Sequence, residues 1–228
     1  MKTILITGAN GNLGTEVVKT LHTNGYEICA TVGPGSLPDD FAQMTKDARN
    51  VNLTDEAETQ QYVEALTRQN PGLCAAVLLV GGFAMGTIKD TDAAAIDKQI
   101  ALNFKTAYFV VRPFMEHFEK IGGGQFILVG ARPALDAADG MTKVAYSIGK
   151  SLVFHLAELI NAAGKGKRIT ATVLVPSIID TPPNRNAMPD ADFSQWIKAS
   201  DIAETIAFVL SDAGRTLRES VLKVYNEA

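Results

Sequence analysis

Tyr146 and Lys150 stand four residues apart at the start of a stretch, residues 144–163, in which Leu152, Leu156, Leu159 and Ile160 recur at helical spacing. That interval puts a phenol and an ammonium on one helix face. A free phenol has a pKa of about 10 and exchanges protons poorly at neutral pH, but a neighbouring ammonium stabilises the phenolate and lowers that value. The pair reads as a proton donor with its electrostatic partner. Of the five tyrosines, Tyr146 alone is followed by a lysine at this interval. The plain alternative is an i,i+4 pair on a solvated face. Its place beyond a sheet strand, in a chain with a second chemical signature near its start, favours the chemistry.

That second signature is Thr7-Gly8-Ala9-Asn10-Gly11-Asn12-Leu13-Gly14, which follows the apolar run Ile4, Leu5, Ile6 and precedes Val17, Val18 and Leu21 at offsets of three and four. A buried strand thus turns through glycines into a helix. Glycines let the chain turn sharply and bring the backbone close to a pyrophosphate, whose charge the free N–H groups of the helix start accept. The spacing is Gly-x-x-Gly-x-x-Gly, which on its own often marks only a tight turn. The strand and helix flanks are the context that a dinucleotide site demands.

These residues need a scaffold, and the chain supplies alternating strands and helices. Residues 26–32 form a second strand ended by Gly33-Pro34-Gly35-Ser36, and residues 48–53 a third. Thr54-Asp55 caps a helix over 56–67 that carries Glu56 and Glu58 in its first turn. Residues 74–80 are apolar throughout, as in a strand covered on both faces, and end in Gly81-Gly82-Phe83. One long helix or two joined ones span 92–120, interrupted near Pro113. Residues 126–129 and 169–175 are further strands. Residues 177–192 lack any period and lead to Phe193 and Trp196, so 177–198 reads as a substrate lid, with Trp196 either in its apolar wall or in the core. Asp201 and Glu204 have capping-box spacing ahead of a helix ending near Leu210, and 221–225 is a last strand. The pattern predicts one Rossmann-type α/β domain over 1–228, a doubly wound parallel sheet with helices on both faces.

Composition narrows the function. With 228 residues and 46% hydrophobic content the chain can bury a large core. A net charge of −4 without a long Lys/Arg run argues against nucleic acid as a partner. No apolar run reaches membrane-span length and none forms a signal-peptide core, so a soluble cytoplasmic protein is expected. Cys29 and Cys74 sit among apolar strand residues and are expected as buried, reduced thiols. His22, His117 and His155 lack metal-ligand spacing and no Gly-x-Ser-x-Gly elbow occurs, leaving no metal site to assign.

Along its whole length the chain resembles the short-chain dehydrogenase/reductases. The resemblance rests on the Thr7–Gly14 loop, Asn52-Leu53, Asn103, Tyr146-x-x-x-Lys150, Pro176 with Thr181, and Ser200-Asp201-Ile202-Ala203. It implies a catalytic group of Tyr146 as general acid, Lys150 lowering its pKa and bonding the nicotinamide ribose, and Asn103 holding a relay water. It also implies NAD(P)H lying against Gly8, Asn10, Gly11, Asn12, Leu13 and Gly14, then Val32, Asn52, Leu53, Gly81, Gly82 and Phe83. Pro176, Ile179 and Thr181 complete that set. A homodimer or homotetramer, paired through the two long helices, follows from the same resemblance. The end of the second strand, at Val32-Gly33, offers neither an acidic nor a basic residue, so NADH and NADPH both remain open.

Two departures bear on the substrate. The family's serine thirteen residues before the tyrosine is Pro133 here, and its Asn-Asn-Ala-Gly is Val80-Gly81-Gly82-Phe83. Both are similar to the dihydropteridine reductase-like branch, as are residues 130–141, Asp180-Thr-Pro-Pro-Asn-Arg185 and Met188 through Trp196. A conjugated quinonoid imine accepts hydride readily and needs less oxyanion stabilisation than a ketone. The expected activity is reduction of a small-molecule substrate, a quinonoid dihydropterin or similar conjugated imine, by hydride transfer with Tyr146 as proton donor. Reduction of another quinonoid or carbonyl compound, or non-catalytic NAD(P) sensing, stand as the alternatives.

Overall fold

Strand and helix alternate in the order β1 (Thr3–Thr7), α1 (Asn12–Thr23), β2 (Glu27–Val32), α2 (Phe41–Met44), β3 (Asp47–Asn50), α3 (Glu56–Gln69) and β4 (Leu73–Leu78). The second half continues with α4 (Ala93–Ile100), α5 (Thr106–Ile121), β5 (Gly124–Val129), α6 (Ala137–Gly140), α7 (Val144–Gly164) and β6 (Ile169–Pro176). β7 (Ile179–Asp180), α8 (Pro182–Ala187), β8 (Ile197–Lys198), α9 (Ala199–Leu210) and β9 (Val221–Val224) close the chain. This computed structural model describes residues 2–35 and 37–227, so the turn assigned to Ser36 lies outside the described residues.

Among the described residues seven strands form one parallel sheet in the order β3-β2-β1-β4-β5-β6-β9. The reversal of direction falls between β1 and β4, and in such sheets a ligand crevice opens beyond the carboxyl ends of those strands. Register explains how both faces are buried. Ile4 pairs with Ile28 and Leu5 with Cys29, so neighbouring strands send matching residues to matching sides. Leu5, Ala76, Phe126 and Val173 pack beneath α3, α5 and α7, whereas Ile4, Ile6, Val77 and Ile127 pack beneath α1 and α9. Every residue of β1 and β6 is buried, which accounts for their continuous apolar character.

Several expectations need correction. The third strand stops at Asn50, not residue 53, because Leu53 turns into the core under α3 while Asn52 accepts from the Thr54 N–H (3.2 Å) and hydroxyl (2.6 Å). Helix α5 runs through Pro113, and the irregularity sits upstream in the π-helical residues Ala101–Lys105. Proline rules count a lost N–H but miss the tertiary bonds of Asn103 that hold a widened turn. The cap of α9 is Lys198, so Asp201 lies in the first helical turn instead of capping it. Residues 177–198 are not shapeless, since they contain α8, the short β7–β8 pair and a 3-10 turn at Phe193–Gln195. Both cysteines are free, but only Cys29 is fully buried, and Cys74 is partly buried with its thiol donating to the Thr3 carbonyl.

The core is tight where α5 returns into β5. A Cβ at Gly124 would fall 2.2 Å from the fully buried Phe118 ring, which itself packs 4.9 Å from the Phe126 ring, centroid to centroid. Phe118→Ala is expected to cost about 3–5 kcal/mol of stability, read as a lower urea midpoint with an unchanged slope.

Candidate active site

The turn after β1 is built by close approach. Gly8 has φ +64, a left-handed conformation that favours glycine, and a Cβ at Gly14 would fall 2.2 Å from the Gly8 carbonyl oxygen. Helix α1 therefore starts directly against the strand end. Its N-cap is Gly11, and no side chain satisfies its first N–H groups. The Asn10 amide donates to the Gly33 carbonyl (3.0 Å) and accepts from the Gly33 N–H (2.9 Å), fixing the end of β2 at Val32 to the glycine turn. Asn12 and Leu13 form the first helical residues of α1.

Across the switch point, the turn after β4 meets the long helices. Asn103, 1% exposed, accepts from the Gly82 N–H (3.1 Å) and donates to the Gly82 carbonyl (2.9 Å) and to the Gln99 side-chain oxygen (2.9 Å). A Cβ on Gly81 would stand 2.7 Å from Asn103 Oδ1 and 3.2 Å from Lys150 Nζ. Lys150 is buried and donates to the Val129 carbonyl at the end of β5 (2.8 Å). Burial pushes its pKa down to about 8. The Tyr146 ring meets the exposed Phe83 ring edge-on, with centroids 5.2 Å apart.

Burial, and after it the Asp139 carboxylate, push the Tyr146 hydroxyl up to about 12. The sequence led to the opposite expectation, a phenol lowered by Lys150. Desolvation dominates instead, and the ammonium spends its hydrogen bond on Val129.

Pro133, at the serine's place, belongs to a 3-10 turn (Arg132–Ala134) whose Pro133 carbonyl accepts from the Ser147 hydroxyl at 2.6 Å. Beside it the Asp139 carboxylate accepts from Lys143 Nζ (2.6 Å) and Arg132 Nε (3.2 Å). Sequence reading missed this cluster and Gln99. Both carried a signal, since Asp139–Lys143 and Gln99–Asn103 have the same four-residue spacing that picked out Tyr146 and Lys150.

Pro176 is buried at the end of β6, and the segment beyond it folds over itself. Thr181 caps α8, Asn184 donates to the Ile179 carbonyl (2.8 Å), and Arg185 forms a two-bond ion pair with Asp180 (2.6 and 2.8 Å). The same guanidinium covers the Phe193 ring at 4.7 Å, and Phe193 packs on Trp196, which is 4% exposed. Asn226 donates to the carbonyls of Ser194, Gln195 and Trp196. Asn52 and Leu53 lie beyond β3, the latter in the core. A separate cavity of about 470 Å³ opens between α3 and α5, lined by Glu64, Arg112 and Lys120, away from the strand ends. Among the described residues no cluster of His, Cys, Asp or Glu could hold a metal ion, and no helix is long and apolar enough to cross a membrane.

Residues 2–192 match the short chain dehydrogenase family, and the chain belongs to it. It is therefore an NAD(P)-dependent oxidoreductase in class. Over 210 residues it is 27% identical to a dihydropteridine reductase from Dictyostelium discoideum, covering 90% of this chain and 86% of that one. It is 26% identical over 192 residues to an acetoacetyl-CoA reductase from Acinetobacter sp. (strain RA3849), covering 79% and 75%. In fold it is similar to a short-chain type dehydrogenase/reductase from Mycobacterium ulcerans (TM-score 0.86, 23% identity, 99% and 89% covered). ElxO with NADP bound is similarly related (TM-score 0.87, 19% identity, 99% and 97% covered).

The buried lysine makes a pH prediction. Its folded pKa of about 8 lies below its ordinary 10.5, so the unfolded chain holds that proton more tightly. Stability then rises with pH between those values, until unfolded tyrosines ionise near pH 10 and oppose it. Wild type should gain roughly 2 kcal/mol relative to Lys150→Met between pH 8 and 10, measured by urea unfolding at each pH.

Proposed function

We propose that the protein is an NAD(P)H-dependent reductase of a quinonoid dihydropterin or similar conjugated imine, with Tyr146 as the proton donor. The observation that carries this reading is the retained Tyr146 and buried Lys150 beside a proline where the family has a serine. Similarity to a dihydropteridine reductase supports the acceptor class.

The residues present fit the coenzyme. The start of α1, whose Gly11 cap has no side chain and which the glycines at 8, 11 and 14 bring against the end of β1, suits a pyrophosphate. Asn10, Asn12, Leu13, Val32, Asn52 and Leu53 would line the adenosine side. Gly81, Gly82, Phe83, Pro176, Ile179 and Thr181 would line the nicotinamide side, where the bound group supplies a hydride. Lys150, below its pKa of about 8 at neutral pH, carries the charge that holds a ribose hydroxyl. Tyr146 keeps its proton at neutral pH because burial holds its pKa up, and donates it to the acceptor nitrogen as electron density arrives there. Asn103 holds the Gly82 turn and, in the same reading, a relay water. Residues 177–198 act as the lid of the single domain, with Phe193 toward the acceptor and Trp196 anchoring it in the core.

Exposed Tyr108 on α5 and exposed Ile148 and Leu159 on α7 support pairing into a homodimer or tetramer, and we place the protein in the cytoplasm. A carbonyl acceptor is the second reading, favoured by the acetoacetyl-CoA reductase relative.

Purified protein should oxidise NADH or NADPH when given quinonoid dihydropterin, and a panel with carbonyl acceptors separates the two readings. Tyr146→Phe should lower the rate about 10²–10⁴-fold while coenzyme binding, followed by nucleotide fluorescence, persists. Undiminished turnover in that variant overturns the reading.

A further inference from the structure

Asp139 joins elements that the mechanism needs aligned. Its side chain is 20% exposed, and its two oxygens are taken by cations from different parts of the chain. One oxygen accepts from Lys143, the N-cap residue of α7, whose Nζ also donates to the Asp139 carbonyl (3.0 Å). The other accepts from Arg132, in the turn that leaves β5. Two backbone ties complete the frame. Val144 N–H donates to the Gly86 carbonyl (2.9 Å) and Gly86 N–H to the Thr142 carbonyl (2.8 Å), joining the loop beyond Phe83 to the residues just ahead of Tyr146. The Arg132 guanidinium lies 5.8 Å from the Tyr225 ring centroid, and the Tyr225 carbonyl accepts from the Ser177 hydroxyl at the base of the lid segment.

We propose that Asp139 is a positioning residue for the reduction: its carboxylate ties the Pro133 turn to the first turn of α7 and thereby fixes where the Tyr146 phenol stands. The inference rests on Tyr146 being the proton donor. Where other family members place a serine against the acceptor, this chain has a proline that offers no hydroxyl, so the direction of the phenol must be set by what holds its own helix. The ion pairs do that, and the Ser147 bond to Pro133 assists from the same helix turn.

The charge itself has a second effect. Burial pushes the Asp139 carboxyl up, but the hydrogen bonds from Lys143 and Arg132 outweigh it and hold the group below the usual carboxylate range. Asp139 is therefore an anion throughout the neutral range. The charge that acts on the phenol is Asp139 on α6, itself held by Arg132 on the preceding turn and Lys143 at the start of α7, while the Phe83 ring from the loop beyond β4 meets the phenol ring. Asp139 opposes phenolate formation, so removing its charge lowers the Tyr146 pKa.

Asp139→Asn keeps the shape and removes the charge. Its kcat should fall about tenfold with little change in coenzyme affinity or in the acceptor's KM. Asp139→Glu should restore most of the rate. A wild-type kcat in Asp139→Asn overturns the proposal. Should that variant fail to fold, Lys143→Met breaks the same tie with the carboxylate kept: kcat should fall, and an unchanged kcat overturns the proposal. Failure of the Tyr146 reading is distinct, because it appears in Tyr146→Phe retaining the wild-type rate.

Discussion

A buried ammonium demands a partner, and the requirement organises this end of the sheet. Lys150 Nζ reaches the Val129 carbonyl, which fixes α7 against the carboxyl end of β5. The same nitrogen would stand 3.2 Å from a Cβ at residue 81, and the Asn103 amide leaves still less room there. Gly81 is thus imposed by two polar side chains, one from the π-helical segment ahead of α5 and one from α7. Burying a charge this way is unfavourable in itself, as the depressed pKa records, and a chain selected for stability alone would place an apolar side chain at 150. The site keeps a poised cation at the expense of the fold around it.

Much of this was legible beforehand because buried parallel strands leave strong traces. Apolar runs marked β1 and β4 and an apolar-rich stretch marked β6, and the glycines between β1 and α1 announced the turn that close helix packing requires. The boundaries were less legible where a side chain met a partner far along the chain. Leu53 left its strand for the core beneath α3, a choice made by packing and not by β propensity. Pro113 looked like a helix breaker, yet the distortion followed Asn103, whose partners on the Gly82 turn lie twenty-one residues away in sequence. Residues 177–198 read as irregular because two-residue strands are too short for periodicity to register.

Side-chain identity and side-chain environment diverged at the tyrosine. Four-residue spacing placed Tyr146 and Lys150 on one face, and from that a lowered phenol pKa followed. Burial and the anion at 139, invisible without the fold, set the opposite direction. Family membership then supplies the class of chemistry, while Pro133 and the ion cluster beside it lie in the turn that follows β5.

The π-helical residues Ala101–Lys105 carry a constraint on how this sequence can drift. A π turn is an α turn holding one surplus residue, so losing a residue just upstream would regularise the helix at no cost in hydrogen bonding. It would also swing the Asn103 side chain through about 100° around the axis, away from the Gly82 peptide. Descendants of this chain can therefore exchange the solvent-facing side chains of the helix, but Gln99 and Asn103 are held by their bonds and the register from residue 93 to residue 103 admits neither deletion nor insertion.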